Sequence, residues 1–350
     1  MMENEVDGLD KRKAYILATV VYEYIATGEP VGSQALTQKY NLGVSSATVR
    51  NEMADLEAGG YLEQPHTSAG RVPSDAGYRT YVDALMSPEE LGADERRRIR
   101  DEMRDARAQL DEIVEQSSRL LGRLAGNLAF VTKPQSDTQS FRYVQLIWIA
   151  ERSGIAIIVT SLGVASQSLF ELRNDLSPDD LTRLSNALNA TFAGRLLRDC
   201  DDRSLTALTK SCGFGDDMAA AVRAAFIGAR TQEQPGISAS GAQHLLDQPE
   251  FRDVRKLRSI LRILEEQRTL YDLVADAFDS PTASVKIGHE LGSEELADLS
   301  LVTVPYRFGE RAVGMLSILG PRRMPYARLL ALASGTAETL SERLHDVEVK

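Results

Sequence analysis

Two cysteines in 350 residues, Cys200 and Cys212, leave no disulfide framework, and neither belongs to a Cys-x-x-Cys pair that would suggest zinc. Two inert thiols and no metal are expected. The four histidines, His66, His244, His289 and His345, show no metal-ligand spacing. The chain also lacks a glycine-rich phosphate loop ending in Lys-Ser/Thr and a Gly-x-Ser-x-Gly elbow. Neither an enzyme nor a cofactor is expected, and His289-Glu290 reads as a surface turn rather than an acid/base pair. No run of about 18 uninterrupted apolar residues occurs. The opening Met-Met-Glu-Asn-Glu has no apolar signal core, so a cytoplasmic chain with no membrane partner is expected.

Positive charge is scarce as well. The formal net charge is −11, and residues 1–86 hold 7 Lys/Arg against 12 Asp/Glu, so the overall field does not steer the chain toward nucleic acid. What cationic character exists is local: Lys11-Arg12-Lys13, Arg50, Arg71 and Arg79. The Arg96-Arg97-Arg98 run is interleaved with Asp94, Glu95, Asp101 and Glu102 and reads as solvated ion pairing.

The informative segment runs from Ser45 to Arg71. Ser45 sits where an N-cap belongs, and Val49, Met53 and Leu56 recur at four and three residues as one apolar stripe. Another face leaves Ser46, Thr48, Arg50 and Asn51 free, groups able to reach phosphates and base edges from the first two turns of a recognition helix. Upstream, Tyr15, Leu17, Val20, Val21, Tyr24 and Ile25 form a helical apolar face that stops at Gly28, with Pro30 beyond. Ser33 is read as the cap of a short helix with Ala35, Leu36 and Tyr40, and residues 41–44 make the turn. Gly59-Gly60 ends the recognition helix, Tyr61-Leu62 begins a strand, residues 66–70 form a polar tip, and Arg71-Val72-Pro73 closes a hairpin. This is a winged helix-turn-helix. Its expected contacts to double-stranded DNA are Ser33, Ser45, Ser46, Thr48, Arg50 and Asn51, with His66, Thr67, Ser68 and Arg71 on the wing. A winged helix that binds only other proteins shares this geometry, so geometry alone leaves that alternative open.

Four blocks carry a resemblance beyond geometry: Thr27-Gly28-Glu29-Pro30-Val31-Gly32-Ser33, Ser46-Ala47-Thr48-Val49-Arg50-Asn51, Pro65-His66-Thr67-Ser68-Ala69-Gly70-Arg71 and Gly77-Tyr78-Arg79-Thr80-Tyr81-Val82. Together they closely resemble the bacterial heat-inducible transcription repressor HrcA family. Arg142-Tyr143-Val144-Gln145-Leu146-Ile147, the stretch from Ser240-Gly241 through Pro249-Glu250-Phe251, and residues 314–326 are similar to it too, so most of the chain is covered. The resemblance implies a homodimer that represses chaperone operons at an inverted-repeat operator, the CIRCE element, is inactivated by heat stress and is kept active by a GroEL-type chaperonin. It also implies a GAF-like domain with an inserted dimerising domain. Two departures stand in the C-terminal half: Gly288-His289-Glu290-Leu291 where the family usually has Gly-x-Glu-Asn, and an Arg for the usual Thr in Gly320-Pro321-Arg322-Arg323-Met324.

Beyond the wing, Ser74 caps a helix with Tyr78, Tyr81, Val82 and Leu85 on one face. Ile99, Met103, Ala106, Leu110, Ile113, Ser117, Leu120 and Leu124 then step alternately by four and three. That heptad predicts one long connecting helix within residues 88–128, lying on its own domain or paired across a dimer axis. From Phe141 the period shortens to two: residues 143–150, 155–160 and 164–172 read as strands, followed by a helix opened by Pro178. Residues 283–287, 299–306 and 312–319 read as later strands, before a C-terminal helix through Leu329, Ala333, Leu340 and Leu344. Strands, helices and strands again imply one antiparallel sheet interrupted by an insertion.

The expected fold class is α+β: an N-terminal winged helix-turn-helix, a long connecting helix, and a GAF-like antiparallel sheet domain interrupted by a mostly helical dimerising insertion. The boundaries are 1–87, 88–128, 129–199 with 279–350, and 200–278, with insertion helices at 218–229, 251–264 and 270–278. The rival function is a ligand-sensing winged-helix regulator, with Tyr143, Trp148, Phe170, Tyr306 and Phe308 lining a small-molecule pocket in the GAF-like domain. Plain core packing is the ordinary role of such aromatics.

Overall fold

The computed structural model describes residues 8–66, 69–104, 109–172, 177–231, 236–251, 262–263, 266–279 and 281–347. Its N-terminal head is built on α1 (Lys11–Thr27), whose first turn is capped by the Asp10 carboxylate accepting from the Arg12 and Lys13 amides. Short α2 (Ser33–Lys39) and recognition helix α3 (Ser46–Ala58) follow. Ser45 caps α3 as expected, accepting the Thr48 amide at 3.2 Å. Ser33, in contrast, is the first residue of α2, and the cap position is Gly32, which has no side chain to offer. Val49, Met53 and Leu56 are buried in one cluster with Leu17, Val20 and Leu36, as the apolar stripe requires.

The wing is short. β1 (Leu62–Glu63) pairs antiparallel with β2 (Val72–Pro73), Leu62 opposite Pro73. It is tied to the head by Val31 and Arg71, which exchange backbone hydrogen bonds of 2.8 and 2.9 Å. Gly70 permits that approach, because any Cβ there would overlap the Val31 carbonyl. Ser74 then caps α4 (Asp75–Thr80), which continues as one π-helical turn over Tyr81–Leu85.

The expected single connecting helix is two helices, α5 (Ala93–Arg104) and α6 (Leu110–Ala125). Gln109, ahead of α6, is extended, with φ −113 and ψ 131. Arg123 and Gln116 of α6 reach back to Glu102 of α5. In an unbroken helix Glu102 and Arg123 would lie about 30 Å apart. The heptad is nonetheless a real apolar face: Ile99, Met103, Ile113, Ser117 and Leu120 are all buried, most of them in one core with the C-terminal helix Tyr326–Val347. Ala106 lies outside the described residues, and Leu124 is exposed.

The single sheet of expectation is likewise two. Five strands run in the order β7-β3-β10-β9-β8, all antiparallel: β3 (Leu128–Thr132), β7 (Ile237–Ser240), β8 (Ser284–Ile287), β9 (Leu299–Phe308) and β10 (Arg311–Pro321). One face, with Val131, Val302, Leu316 and Ile318, packs on α5, α6 and the C-terminal helix. The other, with Phe130, Leu301, Met315 and Leu319, is covered by residues from the 242–278 segment, including Leu245, Phe251 and Leu270.

The second sheet is β4 (Phe141–Ala150), β5 (Ser153–Thr160) and β6 (Gly163–Glu171) in that order. With α7 (Pro178–Phe192), α8 (Asp202–Ser211) and α9 (Asp216–Arg230) it forms a separate core around Phe141, Ile158, Leu188 and Phe226. The chain therefore leaves the five-stranded sheet after β3 and rejoins it at β7, so β4–β6, expected in the main sheet, sit outside it. β7, expected inside the insertion, belongs to it. The helix expected at 218–229 is α9. That at 270–278 is a helix Gln267–Asp272 followed by a 3₁₀ turn, Ala275–Phe278. The helix expected at 251–264 falls almost wholly outside the described residues.

Head and body share one continuous apolar cluster that includes Leu17, Leu36 and Tyr78 from the head and Leu121, Val304 and Leu340 from the body. The head is thus seated directly on the body rather than held away from it by a rod.

Candidate nucleic-acid interface

On α3 the buried stripe leaves an outward face of Ala47 and Asn51, flanked by Ser46 and Arg50 on the wing side and Thr48 on the α1 side. Ser33 and Ser46 bring the first turns of α2 and α3 together, their hydroxyls 3.2 Å apart. Arg50, Ser33, Gln34, Gln64 and Gly70 line one cleft between α2, α3 and the wing. Arg50 and Asn51 are exposed, as are Ser45 and His66. The hydroxyls of Ser45 and Thr48 lie 3.0 Å from each other, so both are engaged at the cap. At the tip, Ala69 donates its N–H to the His66 carbonyl at 2.8 Å, a turn that closes the wing. Thr67 and Ser68 lie outside the described residues.

Electrostatics separates Arg50 and Lys11, for which no ion pair is found among the described residues, from the other cations of the head. Lys13 pairs with Asp55 at 3.0 Å, Arg12 with Glu52 at 3.5 Å, and Lys39 with Glu23 at 2.7 Å. Arg71 was expected on a phosphate. Its Nη2 sits 2.7 Å from Glu57 Oε2, so it staples the wing to the last turn of α3. Arg79, read in the sequence as one of the local cations near the wing, binds Glu290, 211 positions away. Among the described residues, Arg50 has no carboxylate partner, although it stands in a head with an acidic balance. Gln34 and Gln64 were missed in the sequence: lone glutamines carry no signal until the fold brings them to the cleft beside Arg50.

The rival pocket does not assemble. Tyr143, Trp148 and Phe170 belong to the three-stranded sheet, whereas Tyr306 is buried in the five-stranded sheet with its hydroxyl on the Thr132 carbonyl. Phe308 stacks near His345, ring centroids 5.0 Å apart. Cys200 is buried, which pushes its thiol up to about 11, far from a reactive thiolate. Among the described residues no group of three or more His, Cys, Asp or Glu could hold a metal, and no helix is long and apolar enough to cross a membrane.

A helix-turn-helix with its wing, seated on a larger α+β body, is a fold of the winged-helix class. Residues 111–330 match the family model described as the HrcA protein C-terminal domain. The heat-inducible transcription repressor HrcA of Pelotomaculum thermopropionicum is 36% identical over 346 residues, covering 97% of this chain and 98% of its own. That of Symbiobacterium thermophilum is 35% identical over 335 residues, covering 95% and 98%. A crystal structure described only as a hypothetical protein superposes with a TM-score of 0.60 at 24% identity, covering 97% of this chain and 99% of that one, and shares the fold. The chain belongs to the heat-inducible transcription repressor HrcA family.

Proposed function

We propose that the protein represses heat-shock chaperone operons as a homodimer, binding an inverted-repeat operator of the CIRCE type with two winged helices and releasing it under heat stress. The observation that carries this reading is Arg50: exposed, with no carboxylate partner among the described residues, and beside Asn51 on the outward side of α3. Asn pairs bidentately with adenine and Arg with guanine. His66, Thr67 and Ser68 at the wing tip act on phosphates and position the helix. With the other cations of the head mostly spent, non-specific affinity is modest and two half-sites are needed.

The dimer reading rests on the outer face of the β4–β6 sheet. Tyr143, Ile147, Ile155, Ile157 and Leu169 share that face by register, and Leu169 is 75% exposed. Gln145, Gln167 and Glu171 interrupt that face, but its centre, Ile147 opposite Ile155 and Ile155 opposite Leu169, is an apolar patch on the solvent side. The β4 edge is closed by α7, where Asn189 and Ser185 take the Val144 and Leu146 amides at 2.7 and 3.0 Å. We therefore assign the docking surface for a second copy to that face, at 143–169, rather than to the covered β4 edge or to 200–278. Correspondingly, we divide the chain into a head (1–87), a connecting helical pair (88–127), a sheet body (128–132 with 237–347) and an inserted lobe (141–230).

The fold's reliance on long-range pairing, with β3 beside β10 across more than 180 positions, makes it a slow folder that exposes apolar surface on the way, in keeping with a GroEL-type chaperonin partner. The site of action is the cytoplasm, on the nucleoid when operator is bound.

The test is a mobility-shift titration on an inverted-repeat duplex from a chaperone promoter. Arg50→Ala weakens binding by about 1 to 3 kcal/mol with its melting temperature unchanged. Wild-type affinity in that variant removes α3 as the reading element.

A further inference from the structure

Two segments of the body, Gly288–Leu291 and the Arg322-Arg323 pair, both face the head. Arg79 of α4 extends to the body. Its Nη2 lies 2.6 Å from the Val285 carbonyl, its Nε 2.9 Å from Glu290 Oε1, and it also pairs with Glu290 Oε2. Val285 belongs to β8, an edge strand of the five-stranded sheet, hydrogen-bonded only to β9. The Ile287 amide on the same strand donates to Glu290 Oε2 at 2.9 Å. One arginine of the head thus occupies a carbonyl of the edge strand and holds the carboxylate that occupies its amide.

One turn earlier, Asp75 accepts from Arg322 at 2.7 Å and from the His289 backbone at 3.1 Å, and faces the His289 ring Nδ1 at 2.8 Å. Gly288 lies so close that a Cβ would overlap the Asp75 carboxylate. Beside these charged contacts Tyr78 meets Tyr326 edge-on, centroids 6.0 Å apart, both buried.

We propose that these residues form a latch in which the reading head caps the β8 edge of the body, so that one opening event both releases the head and bares that edge. The polar members are partly exposed and pairs of this kind are individually weak, so the apolar cluster shared by head and body, Tyr78 on Tyr326 included, is what resists opening, which we set below the global unfolding limit. The closed latch leaves the outward residues of α3 exposed, hence it is compatible with DNA. It fixes both heads of a dimer at one spacing, which a head hanging on residues 86–92 loses.

The experiment is amide hydrogen exchange on the full chain, comparing wild type with Arg79→Gln and Glu290→Gln, read over residues 284–287 and over central strand β10. The latch predicts exchange at least tenfold faster at 284–287 with β10 unchanged, and lower operator affinity although Arg79 contacts no DNA. Unchanged exchange at 284–287, or acceleration of β10 by the same factor, overturns it. Should Arg79→Gln fail to fold, the milder Asp75→Asn is read in the same way. The affinity arm rests on the repressor reading and the exchange arm does not, so faster exchange with unaltered affinity overturns the coupling to DNA alone.

Discussion

Asp75 is pulled in two directions: burial raises its carboxyl, but the hydrogen bonds from Arg322 and His289 outweigh that and hold it below the usual carboxylate value. His289 is raised above its ordinary value, chiefly by its hydrogen bond to Asp75. The linkage signs are opposite. The contribution of Asp75 is present above the ordinary carboxylate pKa and fades as pH falls through its depressed value. That of His289 is full below the ordinary imidazole pKa and fades as pH rises through its elevated one. In an NMR titration the His289 midpoint therefore lies above that of a free imidazole and moves down in Asp75→Asn; an unmoved midpoint contradicts the contact. At this scale the sequence was legible where function depends on a local pattern. Ser45, Arg50 and Asn51 stand where the helix period puts them. Arg71 and Arg79 were visible as cations, but their partners Glu57 and Glu290 are defined only by tertiary structure.

Elements with a periodic signature were legible, and those without one were not. β4, β5 and the α3 helix follow their apolar spacing, and β9 and β10, buried almost throughout, were legible as apolar runs twice the length of β3. β3 is buried at all five positions, so it has no alternation to read, and it hid at the end of an expected helix. The heptad from Ile99 to Leu120 correctly marked an apolar face, but periodicity cannot tell a partner helix in another chain from one later in the same chain. Strand pairing is equally non-local, which is why β4–β6 were assigned to the wrong sheet. The exposed outer face of that lobe gives the element-scale prediction: Leu169→Asp yields a monomer by sedimentation, with the melting temperature of the lobe preserved and operator affinity greatly reduced. A variant that remains dimeric moves the seam elsewhere.

For the molecule as a whole, a net charge of −11 supplies no field toward DNA, so the proposed binding relies on local geometry and on paired half-sites. Head, sheet body and inserted lobe each have a distinct part in that account: the head reads, the body holds the head, and the lobe joins two copies. The family model and the full-length relatives support the class of regulator, and the placement of its DNA target follows from the proposal above. The most direct test is footprinting on the chromosome of the source cell, before and during heat shock. The account predicts protection over inverted repeats upstream of chaperone genes at the growth temperature, symmetric across each repeat, lost on heat shock and absent with Arg50→Ala. Protection that is asymmetric, confined to other genes, or undiminished by heat contradicts it.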